Sequence, residues 1–174
     1  MKILIVYGST EGQTRKIADF LRAEAEKLGH QVRMVDATSN PPQPVGFDLV
    51  LIGASVHMHK YQTAVLHYIK SNIENLNKMH CGFFSVSMAA ASGDAESLKE
   101  LDAVTKAFLK ETGWNTAIIE QVAGALLYSK YDFFKKLIMR MIQKSKGGNI
   151  DTSEDYEYTD WARLKIFLER MLKP

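Results

Sequence analysis

The densest cluster of side chains able to do chemistry is Gly8-Ser9-Thr10-Glu11-Gly12-Gln13-Thr14. Ser9, Thr10 and Thr14 offer hydroxyl donors, Gly12 removes a Cβ where the backbone must curl, and a helical pattern begins at once. Hydroxyls, backbone amides and the positive end of a helix can together hold a phosphate without any lysine. The competing reading is an ordinary Ser/Thr/Gly turn that caps a helix. A second cluster is His57 with His59, in the stretch Gly53-Ala54-Ser55-Val56-His57-Met58-His59-Lys60-Tyr61. A metal would need at least one further ligand, and no Asp, Glu or Cys lies nearby in sequence, so no metal site is predicted. Proton handling or a ligand contact by one histidine competes with a plain exposed loop residue. Cys81 reads as a small buried hydrophobe, because nothing around it would lower its pKa. No G-x-G-x-x-G and no Walker A sequence occurs, which argues against a dinucleotide fold or an NTPase. A phosphoacceptor domain would want acids at the end of the first strand, and Tyr7-Gly8-Ser9 supplies none.

The elements that must position these loops follow from hydrophobic periodicity. Lys2 to Tyr7, Gln31 to Val35, Asp48 to Gly53, Gly82 to Met88 and Thr116 to Gly124 have strand length and β-branched or aromatic content. Leu49-Val50-Leu51-Ile52 is continuously apolar, as expected of an interior parallel strand covered on both faces. Helical stripes run over Thr14 to Leu28, Tyr61 to Ile73 and Ala95 to Thr112, the last carrying Leu98, Leu101, Thr105, Phe108 and Leu109. Gly29 and Gly113 are placed to end helices, and Asp160 to cap the final one. The alternation predicts a doubly wound α/β domain with a five-stranded parallel sheet. Thr38 to Gly46 holds Pro41, Pro42 and Pro44, so the second crossover is expected to be a loop with at most a short helical turn.

With 174 residues and 46% hydrophobic content, the chain is expected to form one domain over residues 1–174 and is too apolar to stay disordered. Net charge is +2, but Lys130 to Lys146 is basic and Asp151 to Asp160 acidic. The stretch at about 127–158 is too long for an ordinary connection and reads as an insertion before the last helix. Within it, Phe134, Leu137, Ile138, Met141 and Ile142 form a stripe beside Lys136, Arg140 and Lys144. Such an amphipathic helix can pack on the body, lie in a membrane interface, or cover an anionic, greasy ligand. Charge interrupts it too often to span a bilayer. Positive charge confined to one helix, with no recognition motif, predicts no nucleic-acid partner. Without a secretory segment or a Cys framework, the chain is expected to be intracellular.

Ser9-Thr10-Glu11-Gly12-Gln13-Thr14 resembles the phosphate loop of flavodoxins, which implies a flavodoxin-like fold with strand order 2-1-3-4-5 and bound FMN. By that resemblance Ser9, Thr10, Gly12, Gln13 and Thr14 hold the ribityl phosphate, and Glu11 contributes its backbone. Ser55, Val56, His57 and Tyr61 would flank one side of the flavin ring. Ser87, Met88, Ala89, Ala90, Ser92 and Gly93 would flank the other. Tyr61 is equally compatible with a core contact.

The wider likeness is to the bacterial FMN- and menaquinone-dependent protoporphyrinogen IX dehydrogenases, a branch of the same superfamily. It rests on Gly53-Ala54-Ser55-Val56, His59-Lys60-Tyr61, Phe84-Ser85-Val86-Ser87, Ala123-Gly124-Ala125-Leu126, the insertion, Lys146-Gly147-Gly148 and Tyr158-Thr159-Asp160-Trp161. It implies oxidation of protoporphyrinogen IX to protoporphyrin IX in haem biosynthesis, with menaquinone or ubiquinone as acceptor. It further implies Lys130, Tyr131, Lys135 and Arg140 as substrate contacts, while His57, on its own chemistry, is the candidate catalytic residue. A cytoplasmic location follows, with peripheral contact to the inner membrane through 130–146, and a homodimer is compatible with it. Val56-His57-Met58 stands where that branch carries Ile-Arg-Tyr-Gly, and Ala89 to Gly93 replaces a basic run. An electron-transfer flavodoxin, or an FMN-dependent reductase of another substrate, therefore stays open as the alternative.

Overall fold

The computed structural model describes residues 1–115, 118–126 and 156–173. Five parallel strands form the sheet: β1 (Lys2–Gly8), β2 (Gln31–Asp36), β3 (Leu49–Ser55), β4 (Cys81–Ser87) and β5 (Ile118–Ala123). Their order is β2-β1-β3-β4-β5, as expected. Helices α1 (Gln13–Lys27), α2 (Thr63–Ser71), α3 (Ile73–Leu76) and α4 (Ala95–Thr112) connect them, and α5 (Trp161–Met171) closes the chain. A short antiparallel pair, β6 (Ala125–Leu126) with β7 (Tyr156–Glu157), flanks residues 127–155. Most of the predicted insertion, including its amphipathic helix and Lys130, Tyr131, Lys135 and Arg140, lies outside the described residues; only residues 156–158 of it are described.

Alternating strand residues divide the core into two layers. Ile3, Ile5 and Tyr7 face α1 and α5, packing on Ile17, Leu21, Leu164, Phe167 and Met171. Leu4, Val6, Val50 and Ile52 face the opposite layer with Val65, Ile69, Phe108 and Trp114. A parallel sheet needs both faces covered, because its central strands have no polar side to give to water. The proline-rich crossover between β2 and β3 forms no helix. Instead Asp36 Oδ1 accepts from the Thr38 amide at 2.8 Å and from its hydroxyl at 2.6 Å, and the Tyr68 hydroxyl donates to Pro42 O at 3.0 Å. Asp160 caps α5 by accepting from the Arg163 amide at 2.9 Å, and Gly113 ends α4 in the left-handed region at φ 71°. Cys81 is buried, donates to Leu76 O at 3.4 Å, and burial pushes its thiol up to about 12.

Two helical expectations need correction. The stripe expected to run from Tyr61 to Ile73 breaks at Asn72, whose side-chain amide donates to Tyr68 O at 2.9 Å and so takes a carbonyl from the helix end. Leu98 is 43% exposed, and the buried stripe of α4 is Leu101, Thr105, Phe108 and Thr112. Two threonines can face inward because each hydroxyl donates to the carbonyl four residues earlier, at 2.9 Å in both cases.

Gly53 marks the tightest approach in the sheet. A Cβ there would sit 2.0 Å from the ring of the buried Phe84. Gly53→Ala should therefore lower unfolding stability by at least about 1–3 kcal/mol through overpacking. An unchanged urea midpoint would show that the Phe84 ring can move aside.

Candidate functional site

The three loops singled out in the sequence leave the same end of the sheet. Gly8 pairs with Ala54, and Ser55 pairs with Val86, so β1, β3 and β4 finish level with one another. In an open α/β sheet that end, where strand order reverses, is where ligands bind.

The first loop curls through Gly12, which takes φ 99° as the residue before α1. A Cβ there would meet nothing within 4 Å, so glycine is required by conformation and not by crowding. Its amide donates to Ser9 Oγ at 2.9 Å. The Gly12 N–H is thus used inside the loop. No side chain caps α1, α2 or α3, whereas Asp94 and Asp160 cap α4 and α5. Thr14 is 1% exposed and its Oγ1 has no hydrogen-bond partner. Gln13 faces the tail: its amide donates to Glu157 Oε1 at 2.7 Å and to Thr159 Oγ1 at 2.8 Å. Lys16 reaches both Glu157 oxygens at 2.9 Å. Burial would push the Glu157 carboxyl up, but these Lys16 and Gln13 hydrogen bonds hold it below the usual range.

After β3, His57 and Lys60 exchange both backbone hydrogen bonds at 2.9 Å. The residues between them, Met58 and His59, have φ 47° and 62°. This is a type I′ hairpin turn, a conformation that favours Asn-Gly and that two bulky residues adopt only under strain. It leaves Met58 78% exposed at its tip. His57 Nδ1 lies 3.8 Å from Glu11 Oε1, an electrostatic contact between the first and second loops. The Glu11 side chain is 15% exposed, and burial raises its carboxyl, with His57 pulling the other way. Thus Glu11 does more than lend its backbone.

Tyr61, expected beside the ring, is a core residue. It is buried among Phe83 and Phe108, at centroid distances of 5.3 and 4.5 Å. Its hydroxyl is paired with Ser85 Oγ and Thr105 Oγ1, each at 2.8 Å. The third loop is compact: Ser87 Oγ accepts from the Ala90 amide at 3.1 Å, and Ala89–Ala91 form a 3-10 turn. The Ser92 hydroxyl donates back to Ala89 O at 2.8 Å, and Gly93 turns at φ 67° into the Asp94 cap. Met88, Ala89 and Ala90 are half-buried around this turn. A cavity of about 280 Å³ opens beside it, lined by Ala90, Ala91, Val122, Ala123, Tyr158 and Arg163, with Glu120 paired to Arg163 in its wall.

The residue that the sequence reading missed is Gln62. Its Nε2 donates to Thr10 Oγ1 at 3.1 Å and to Ser55 Oγ, and its Oε1 accepts from the Ser55 amide at 3.1 Å. One side chain thus ties the first loop to the second. A glutamine at a helix start, where Ser, Thr, Asp or Asn is usual, was the signal available.

This geometry can be set beside known proteins. A flavodoxin domain model matches residues 4–153. The chain is 32% identical over 168 residues to the protoporphyrinogen IX dehydrogenase [quinone] of Escherichia coli (strain K12), covering 96% of this chain and 92% of that one. The protein of the same name from Leishmania major is 31% identical over 168 residues, covering 95% and 72%. This chain belongs to the flavodoxin family. Among solved structures, a flavodoxin of Streptococcus pneumoniae TIGR4 superposes with a TM-score of 0.57 at 14% identity, covering 98% of this chain and 97% of that one. An archaeal flavodoxin gives 0.55 at 14% identity, covering 99% and 100%. At such identity these two show the fold alone.

The first loop of this flavodoxin-family chain fits a phosphate ester on its own chemistry. An uncapped helix N-terminus and a buried hydroxyl without a partner are both deficits that an anion would fill. No helix among the described residues is long and apolar enough to cross a membrane.

Two outcomes follow. Thr14→Val deletes the partnerless hydroxyl at nearly constant shape. It should leave the ligand-free protein as stable or up to about 1 kcal/mol more stable, while weakening its affinity for inorganic phosphate. A clear loss of ligand-free stability would mean that the hydroxyl is already satisfied. For Glu11 the folded-state pKa is raised, so its contribution to stability is full below the unfolded carboxylate range and is lost as pH rises through the folded value. Glu11→Gln should therefore melt above the wild type near pH ~8, with the gap closing near pH ~4. A gap independent of pH would assign the effect to packing.

Proposed function

We propose that this protein is an FMN-dependent oxidoreductase that oxidises protoporphyrinogen IX and passes the electrons to a membrane quinone. The observation that carries the reading is the anion-shaped deficit at α1, the uncapped helix end with the buried Thr14 hydroxyl. It lies in a chain that matches quinone-linked dehydrogenases along nearly its whole length. Bound FMN would supply a two-electron acceptor, which no side chain provides.

The protein's part is holding and exclusion. Ser9, Thr10 and Thr14 donate to the phosphate, and the first turn of α1 adds its amides. Ser55, Val56 and His57 on one side, and Ser87 to Gly93 on the other, flank the ring. His57 is the candidate to take a proton from substrate, and Glu11, 3.8 Å away, offers the counter-charge when it does. The cavity beside Ala90 and Ala91 supplies room for a substrate next to the ring loops. Lys130, Tyr131, Lys135 and Arg140 would meet propionates, because charge-assisted hydrogen bonds select carboxylates while Phe and Met cover the macrocycle. The same basic stretch, 130–146, would place the enzyme on the cytoplasmic face of the membrane where quinone is found.

The test is anaerobic. The protein purified with its flavin should lose its flavin absorbance on addition of protoporphyrinogen IX and regain it on addition of a quinone. NADH and NADPH should act far more slowly. Rapid bleaching by a pyridine nucleotide, with none by the porphyrinogen, would replace this reading with that of a reductase.

A further inference from the structure

We infer that Gln62 sets the hydrogen-bond polarity of the site, forcing Thr10 and Ser55 to present protons toward the ligand, and so selects a ligand that only accepts. The inference rests on the reading of the loops as an FMN site and concerns a residue outside those loops.

The orientation of the Gln62 amide is decided by its surroundings. The Ser55 backbone N–H can only donate, so the atom facing it at 3.1 Å must be the carbonyl oxygen. The amide nitrogen then faces Thr10 Oγ1 at 3.1 Å and Ser55 Oγ, and both its protons are spent on them. Each hydroxyl, having accepted, has its own proton left to give. Ser9 is in the same state, since its Oγ accepts from the Gly12 amide at 2.9 Å. Among the described residues no acceptor takes a proton from Ser9, Thr10 or Ser55. Thr14 Oγ1, without any partner, adds a fourth hydroxyl. Such an array of donors lacking acceptors matches phosphate oxygens and ring carbonyls, and it disfavours ligands that bring N–H or O–H groups there.

Gln62 is therefore a positioning residue. It touches neither ligand nor reacting atom, and acts through Thr10 and Ser55. It also joins residues that adjacent strands bring together, which makes one amide responsible for the relative placement of two loops.

The decisive substitution is Gln62→Glu. A carboxylate still accepts from the Ser55 amide, but it turns the Thr10 and Ser55 protons inward. Affinity for FMN, read by quenching of flavin fluorescence, should fall about 10- to 100-fold, the cost of a charge-assisted hydrogen bond. Gln62→Met, which deletes the amide without reversing the hydroxyls, should cost less, and added salt should not restore the Gln62→Glu variant, as it would if simple repulsion were the cause. Thr10→Val supplies a separate arm. It should weaken FMN more than it weakens riboflavin, which has no phosphate, and Gln62→Met should then add little to the remaining phosphate preference. Thermal melts of the ligand-free proteins establish that each variant folds. Equal losses in Gln62→Glu and Gln62→Met, or full additivity of Thr10→Val with Gln62→Met, would overturn the inference while leaving the flavin site standing. A wild type that binds neither FMN nor inorganic phosphate would remove the functional reading and this inference with it.

Discussion

Everything at the site depends on the register of three parallel strands. Because Gly8 is level with Ala54, and Ser55 with Val86, the loops after β1, β3 and β4 emerge side by side. Parallel pairing alone would allow the strands to end at different heights. The burial of Leu4, Val6, Val50 and Ile52 on one face, and Ile3, Ile5 and Leu51 on the other, removes that freedom. A slip of one residue would exchange the two sets and place every side chain against the wrong helix. The rigidity of the site is thus a by-product of a core covered on both sides.

On that platform the polar groups divide into two kinds. Away from the loops, the hydroxyls of Tyr61, Ser85 and Thr105 form one connected network, which Gln121 Nε2 joins by donating to Thr105 Oγ1 at 2.9 Å, while Gln121 Oε1, Trp114 Nε1 and Arg22 Nε are buried without a partner. At the first loop satisfaction is withheld. Thr14 Oγ1 has no partner, and α1 starts without a side-chain cap. α2 and α3 also start without a side-chain cap, so what distinguishes α1 is the buried Thr14 hydroxyl in its first turn. The deficit carries a cost in the free protein that a bound anion would offset. The left-handed Met58 and His59 are a second local cost at the same end of the sheet.

Much of this was legible in the residues. Strand-length apolar runs and helical stripes place all five strands, and Gly113 and Asp160 punctuate the helices as expected, because each of those signals is local. The loop Ser9 to Thr14 was also legible, since hydroxyls, glycine and a helix start follow one another directly. What misled were signals whose meaning depends on a partner. Tyr61 stands in sequence beside a ligand loop, yet its side chain turns to Phe83 and Phe108, where a hydroxyl pair awaits it. Leu98 fits the helical period but is 43% exposed on the first turn of α4, where no packing partner among the described residues covers it.

The amino-acid sequence by itself determined the fold class, the parallel sheet and the hydroxyl- and glycine-rich turn that opens α1, because periodicity, turn chemistry and helix capping act over a few residues. Only the tertiary structure decided which partner each hydroxyl at this end of the sheet meets. Gln62 is such a partner, its amide donating to Thr10 from one loop and to Ser55 from another. A hydroxyl can donate or accept with equal ease, so its direction is set by the neighbour that claims it first, and that neighbour is brought near only when the chain has folded.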